Sequence, residues 1–144
     1  MGVMTAVSDS DVSAFLSAGT RTGKLGWVAK DGRPLVAPIW FVVEGDEIVF
    51  NTGADTAKGR AIARDPRVVL SVDLEEPPYA FVQVQAEAVT TTDPQELLRT
   101  ATDIARRYMG PDRAEEFGKR NAVDGELVVR LRPTKVIANL DMTA

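Results

Sequence analysis

Hydrophobic and polar positions along this chain predict a protein made mostly of short strands. The clearest signal lies between Ala80 and Ala88, where every second residue is apolar and mainly polar residues lie between, as in a strand with one buried face. Five further apolar segments predict strands, and their sequences are KLGWVAK, PLVAPIWFVV, IVFNT, RVVLSVD and ELVVRLRPTKVIANL. Pro38 in the second segment indicates a sheet edge or a bulge, and Pro133 is expected to bend the last strand.

Turn and helix signals separate the first strands. Asp31 and Gly32 predict a two-residue hairpin turn, in which both residues adopt positive φ. The segment SDSDVSAFLSAG predicts a helix that is capped by Ser8 or Ser10. Another short helix is expected from about Thr56 to Arg64, because Pro66 ends it.

Two more helices are expected in the C-terminal half. Residues Asp93 to Glu96 form a capping-box pattern with proline at the first helical position, and apolar residues follow at helical spacing as far as Tyr108. A short helix is expected around Arg113 to Lys119.

The order of these elements predicts a mainly β, α+β fold. Six strands, mostly joined as hairpins, with a few peripheral helices are typical of a small antiparallel barrel. The 144 residues fit a single domain, residues 1–144, with a substantial core. Barrels of this size fill their interior with side chains, so a ligand is expected outside the barrel or between subunits.

Charge and composition narrow the classes of function. The net charge of −4 and pI of about 4.9 argue against a dedicated nucleic-acid binder. The absence of cysteine excludes disulfides and cysteine-ligated metals. The N-terminal residues lack a signal-peptide pattern, and no apolar stretch approaches the roughly 20 residues of a membrane span. We therefore expect a cytoplasmic protein without a membrane partner.

Histidine is also absent, which removes the usual general base near neutral pH and the common catalytic triads. We assign no catalytic acid or base from the sequence, and we expect no metal site. If the protein is an enzyme, a bound cofactor is expected to supply the chemistry while the protein binds and orients it.

The strongest candidate site is the junction between the strand IVFNT and the following helix. Lys58 and Arg60 lie in the first turn of that helix, where cations are unfavourable and anions are stabilised. A phosphate group there would use the two cations, the N–H groups of the turn and the hydroxyl groups, and the remaining candidates are Thr52, Gly53, Thr56 and Ala57. The alternative is a solvated helix face. Because residues two apart on a helix point in nearly opposite directions, both cations reach one phosphate only if it lies over the end of the helix, and Lys58 is the stronger candidate.

Three other positions are candidates with plain structural alternatives. Trp40 is either a ligand contact or a packing residue of the core or an interface, and Asn51 ends its strand beside the phosphate candidate. Lys24 belongs with Arg21 and Thr22 to a small polar cluster that is either solvated or able to contact an anionic ligand.

The segment from Asp31 to Asp73 resembles the flavin-binding split β-barrel superfamily of pyridoxamine 5′-phosphate oxidase-like proteins. It contains D-G-x-P, an apolar P-x-W strand, a strand ending in threonine, a helix that opens A-K-x-R, and D-P-R-V before the next strand. The likeness continues through PPYAFVQVQAEAV and the helix ending RYMG, and so covers most of the chain.

The resemblance implies a homodimer with two cofactor sites at the subunit interface. A flavin or deazaflavin ring would lie along Val36, Pro38, Ile39 and Trp40. The phosphate would meet the segment from Asn51 to Arg60, where Lys58 matches the lysine of the family. The partner subunit would contribute further cofactor-binding residues, in the region of Tyr79.

The short chain lacks the arginine-rich motif and C-terminal segment of true pyridoxamine phosphate oxidases, and is more similar to the branch that uses the deazaflavin coenzyme F420. This implies an oxidoreductase that transfers a hydride from the reduced cofactor to a conjugated small-molecule substrate. An FMN-dependent oxidoreductase, a cofactor-storage protein without turnover and a purely structural dimer remain as alternatives.

Overall fold

The computed structural model describes residues 3–144, which contain eight strands, four α-helices and one 3₁₀ turn at Pro111–Arg113. The strands are β1 (Val3–Thr5), β2 (Gly23–Val28), β3 (Pro34–Ile39), β4 (Val42–Glu44), β5 (Glu47–Gly53), β6 (Arg67–Leu74), β7 (Ala80–Thr91) and β8 (Glu126–Asn139). The helices are α1 (Ser10–Ser17), α2 (Ala57–Arg64), α3 (Pro94–Met109) and α4 (Ala114–Asn121).

All strand pairs are antiparallel and belong to one curved sheet in the order β3-β2-β6-β7-β8-β5-β4, with β1 paired to the C-terminal part of β8. This arrangement confirms the α+β antiparallel architecture and is consistent with a split barrel. The sheet encloses a core of aliphatic and aromatic side chains, and its largest fully buried members are Phe41, Phe50, Leu16, Leu25, Ile48, Leu70 and Leu131. The expected filled interior is therefore present.

The predicted number of six strands is wrong. The described residues contain eight strands. The strand β1 was not predicted, and the apolar segment PLVAPIWFVV forms parts of two strands, β3 and β4. The break falls at Trp40 and Phe41, between β3 and β4. Side chains from α3 bind the backbone of Phe41 and replace the sheet hydrogen bonds there. A tertiary contact thus divides a segment that is uniformly apolar in sequence.

The first hairpin forms as expected, but its turn is longer than two residues. Ala29 and Arg33 close the loop through a 2.8 Å backbone hydrogen bond. Of the loop residues, Gly32 has a positive φ of 90°, whereas Asp31 does not. The prediction of positive φ at both residues is therefore wrong, and a three-residue loop with one glycine joins β2 to β3.

Two predicted helix caps are also wrong. Asp9, and neither of the two predicted serines, caps α1 by accepting hydrogen bonds from the N–H groups of Asp11 and Val12. Asp93 precedes α3 but makes no side-chain cap hydrogen bond. The capping box does not form: the Asp93 N–H donates to the Thr91 hydroxyl, and the Glu96 carboxylate accepts a hydrogen bond from Arg130 of β8.

The remaining elements agree with the sequence pattern. Residues Ala80, Val82, Val84 and Ala86 of β7 are buried, and β8 shows an irregular register at Pro133. No helix within residues 3–144 has the length and apolar character needed to cross a membrane.

Candidate functional site

A cleft of about 310 Å³ opens where the end of β3 faces α2, α3 and the beginning of β8. Its walls are formed by Pro38, Ile39, Trp40, Asn51, Lys58, Ala101, Ile104, Asn121 and Glu126. Five of these residues were sequence candidates, and they come from β3, the β3–β4 connection, β5 and α2. The fold therefore brings the apolar β3 segment and the β5–α2 junction to one place.

Lys58 is the cation that lines this cleft. Its ammonium group lies 5.9 Å from the ring centroid of Phe50, and the side chain is half-buried. Burial lowers the pKa of Lys58 below its usual value, while the negative charge of Glu126 acts in the opposite direction. No carboxylate of the described residues lies within 4.0 Å of this ammonium group. A partly desolvated cation without a close ion-pair partner is suited to an anionic ligand.

The beginning of α2 is set by two residues that hold the chain tightly to the end of β5. The Thr56 hydroxyl donates to the Gly53 carbonyl at 2.7 Å and accepts from the Gly59 N–H at 3.0 Å. A Cβ at Gly59 would clash with the Gly53 carbonyl oxygen, so only glycine fits there. The Thr56 hydroxyl is therefore already used as a cap, and the first-turn N–H groups of Ala57 and Lys58 have no acceptor within the helix.

Asn51 and Thr52 point to opposite sides of β5. The Asn51 side-chain amide donates to the Thr100 hydroxyl of α3 at 3.1 Å, which fixes it in the cleft wall. Thr52 is only 6% exposed and is buried on the other side of the strand. Thr52 therefore does not line the cleft.

Trp40 is held by an aromatic partner that sequence reasoning did not identify. Its indole is 43% exposed and stacks on the Tyr108 ring, with centroids 5.0 Å apart and planes at 3°. The Tyr108 hydroxyl accepts from the Phe41 N–H and donates to the Arg21 carbonyl. Burial raises the pKa of Tyr108, against opposing effects of the Phe41 hydrogen bond and the Arg107 charge, so the phenol is neutral and can donate.

Arg107 also holds the backbone next to Trp40. Its guanidinium donates to the carbonyls of Phe41 and Leu16 at 2.7 Å each and to that of Gly19 at 3.0 Å. It also lies 4.6 Å from the centre of the Phe41 ring. Arg107 and Tyr108 end the helix whose RYMG sequence resembles the family, and that was the only sequence signal for their role.

Glu126 and Asn121 are further cleft residues that were missed. Glu126 begins β8 opposite Gly53 in the β5–β8 register, so its side chain reaches the strand end beside Lys58. Asn121 is the last residue of α4. Neither is close in sequence to the other candidates, and no motif marks them.

Several sequence candidates lie outside the cleft lining. Val36 and Lys24 lie on the outer face of the β2–β3 hairpin, where Lys24 pairs in register with Pro38 and its ammonium is 3.9 Å from Asp73. Arg60 is exposed on α2, and Tyr79 is 44% exposed beside the C-terminal segment.

Arg21 is not available as an outward cation. Its guanidinium donates to the Phe15 carbonyl at 2.7 Å and lies over the Phe15 ring. Of the predicted cluster, Lys24 is therefore the member that faces outward.

A second, larger groove of about 620 Å³ lies beside the turn end of the β2–β3 hairpin. Its lining includes Gly26 and Leu35 of the hairpin, Val69 of β6, and Gln83 and Gln85 of β7. Val36, on the neighbouring β3, is 67% exposed. Both sides of β3 therefore expose apolar side chains, Leu35 toward the groove and Val36 away from it.

Comparisons with known proteins agree on the fold. The profile of the pyridoxamine 5′-phosphate oxidase family matches residues 9–139 of this chain. A solved structure described as an F420 reductase is 25% identical, and the alignment covers 85% of this chain and 94% of that one with a TM-score of 0.71. No curated protein sequence matches the chain.

Two further structures show the breadth of the fold. A conserved hypothetical protein from Mycobacterium tuberculosis is similar over 98% of this chain and 87% of its own, with 23% identity and a TM-score of 0.82. The heme storage protein HutZ from Vibrio cholerae is similar over 95% of this chain and 99% of its own, with 15% identity and a TM-score of 0.73. At these identities the likeness concerns the fold alone.

Proposed function

Because the chain belongs to the pyridoxamine 5′-phosphate oxidase family, we propose that it is a homodimeric oxidoreductase that uses the deazaflavin coenzyme F420. The observation that carries the proposal is the cleft in which the half-buried Lys58 faces a rigid aromatic wall at Trp40. The similarity to an F420 reductase over most of both chains supports this choice of cofactor.

The residues present fit a phosphate-bearing tricyclic cofactor. Lys58 would neutralise the phosphate, and the N–H groups of the first turn of α2 would donate to its oxygens. The ring would lie along Pro38, Ile39 and Trp40. Because β3 is an edge strand of the described sheet, alternate backbone groups on its open side are available to hydrogen-bond the polar edge of the ring.

When bound and reduced, the deazaflavin supplies a hydride to an electrophilic carbon of a conjugated small molecule. The protein contributes orientation and a partly desolvated site, in which the Trp40–Tyr108 pair limits the position of the ring. Asn51, fixed by Thr100, offers a polar group at the cleft wall that can orient the substrate or the cofactor.

A second copy of the chain is part of this proposal. The cleft is open to solvent beside β3, and the outer face of the β2–β3 hairpin exposes Val36 and borders the larger groove. Packing a partner against this face would cover apolar surface and close the cleft. Lys24 and Tyr79, which lie outside the cleft lining, would then contact the cofactor of one or the other subunit.

Titration of the purified protein with F420 and with FMN, followed by ligand fluorescence, tests the cofactor. We expect saturable binding of F420 at micromolar concentration or below, and enzymatic reoxidation of the reduced form by at least one class among quinones, enones and tetrapyrroles. Micromolar binding of FMN without binding of F420 would show that the cofactor is FMN. Tight F420 binding without reoxidation by any of these acceptors would favour a storage protein.

A further inference from the structure

Glu126 places a carboxylate beside the lysine that the proposed function assigns to the phosphate. As the first residue of β8 it pairs with Gly53, the last residue of β5. Its Oε2 atom lies 3.0 Å from the position that a Cβ would occupy at Gly53. The Ala54 N–H donates to the Gly125 carbonyl at 2.7 Å and locks the two chain segments together. The backbone thus sets the point at which this side chain leaves β8, beside the end of β5.

The charges in the cleft are therefore nearly balanced before any ligand binds. Among the residues that line it, Lys58 is the cation and Glu126 the anion, while Asn51 and Asn121 are neutral. The two charged groups are not in direct contact, since their separation exceeds the 4.0 Å of an ion pair, but both face the same space. Burial weakens solvent screening here, so each charge acts on any ligand at the site.

The paired charges of Lys58 and Glu126 should affect the binding of phosphate monoesters and phosphate diesters differently. The terminal phosphate of FMN is a monoester with a charge of about −1.5 to −2 at neutral pH, as for other phosphomonoesters. The phosphate of F420 joins two parts of the molecule, so it is a diester with one negative charge. Glu126 repels either phosphate in proportion to its charge, so the carboxylate offsets more of the attraction to Lys58 for a monoester than for a diester.

We propose that Glu126 is a specificity-determining residue that disfavours phosphomonoesters relative to phosphodiesters in this cleft. The inference rests on the proposed function, because it assumes that a phosphate binds at Lys58. The exposed Arg60 does not line the cleft, and its charge is screened by solvent, so it compensates little.

The test compares the wild-type protein with Glu126→Gln, which keeps the size and hydrogen-bonding capacity of the side chain. Each protein is titrated with FMN, riboflavin and F420 in low salt and followed by ligand fluorescence. Riboflavin carries the same ring as FMN without the phosphate and reports ring binding alone. Glu115→Gln, at an exposed position of α4 outside the cleft lining, is the charge-matched control.

We expect Glu126→Gln to tighten FMN binding by roughly three- to tenfold and to change riboflavin binding less than twofold. The substitution should increase the affinity for F420 less than the affinity for FMN. The increase for FMN should become smaller as salt is added. Glu126→Asp keeps the charge and should preserve the wild-type preference, which leaves a folded variant to measure if the glutamine variant is unstable.

The outcomes separate this inference from the proposed function. If the wild-type protein binds F420 but Glu126→Gln changes FMN and riboflavin equally, the inference is wrong while the function stands. The inference is also wrong, with the proposed function unaffected, if Glu126→Asp binds FMN more tightly than the wild-type protein does. If none of the three ligands binds the wild-type protein, the proposed function fails and the inference fails with it.

Discussion

The indole of Trp40 and the phenol of Tyr108 stack in nearly parallel planes, 3° apart, with centroids separated by 5.0 Å. The contact joins the end of α3 to the wall of the candidate cleft, across 68 positions of sequence. Tyr108 also binds the backbone at Arg21 and Phe41, so a single side chain connects three segments. The orientation of Trp40 is therefore a property of the tertiary structure.

Substitution of Tyr108 should separate its two roles. Tyr108→Phe keeps the stack but removes the two hydroxyl hydrogen bonds, and should lower the free energy of unfolding by about 1–2 kcal/mol. Tyr108→Leu also removes the platform beneath Trp40 and should weaken riboflavin binding several-fold. Urea unfolding and riboflavin titration check the two effects. Equal ligand affinity of the phenylalanine and leucine variants would contradict the positioning role.

Arg107→Lys tests the clamp on the segment before β4. Burial lowers the pKa of Arg107, but an arginine remains charged at neutral pH, so lysine preserves the charge and loses the planar fork. Because one ammonium cannot reach the carbonyls of Phe41, Leu16 and Gly19 together, we expect a loss of about 2–3 kcal/mol in thermal or urea unfolding. Arg106→Lys, with an exposed side chain on the same helix, should change stability by less than about 0.5 kcal/mol.

Lys58→Met tests the phosphate contact. Removal of a charge-assisted contact of about 1.5–3 kcal/mol should weaken F420 binding roughly tenfold or more. Arg64→Gln is the matched control, because Arg64 lies exposed in the last turn of the same helix. Fluorescence titration should show little change for this control. Equal losses in the two variants would indicate a general charge effect in place of a phosphate site.

Gly59→Ala tests the close approach of α2 to the end of β5. The added methyl group would meet the Gly53 carbonyl oxygen, a backbone atom that cannot rotate away. We expect a loss of about 1–3 kcal/mol in unfolding free energy, even though alanine favours helices. Ala63→Gly, at an exposed position of α2, should cost only about 1 kcal/mol through helix propensity. An unchanged melting temperature for Gly59→Ala would show that the junction can open without cost.

The free energy of unfolding at acidic pH should depend on the ionisation of Glu44. Burial raises the pKa of Glu44, but hydrogen bonds from Arg99 at 2.8 Å and Arg130 at 3.0 Å outweigh it and hold this pKa below the usual value. A lowered carboxyl pKa stabilises the folded state above about pH 4.5, the ordinary value, and this contribution is lost as pH falls through the folded-state pKa.

Glu44→Gln should therefore destabilise the protein by about 1–2 kcal/mol at pH 7. The difference from wild type should shrink as the pH falls below 4, because the wild-type carboxylate is then protonated too. Urea unfolding between pH 3 and pH 7 measures both effects. A difference that stays constant across this range would exclude the electrostatic explanation.

Local patterns predicted those parts of the fold whose cause is local. The alternation in β7 predicts its buried face, and Thr56 and Pro66 bracket α2, because periodicity and backbone restriction act over a few residues. The failed predictions have distant causes. Glu96 leaves the capping box for Arg130, 34 residues later, and contacts with α3 end β3 after Ile39.

The sequence by itself determined the class of the protein, the strands and helices with clear periodicity, and Lys58 as the main candidate for an anionic ligand. The tertiary structure decided which groups surround that lysine: Glu126 at the start of β8, and Trp40 held on Tyr108. The physical reason is that charge balance and aromatic stacking depend on distances in space, and the curvature of an antiparallel sheet brings residues together that no spacing along the chain relates.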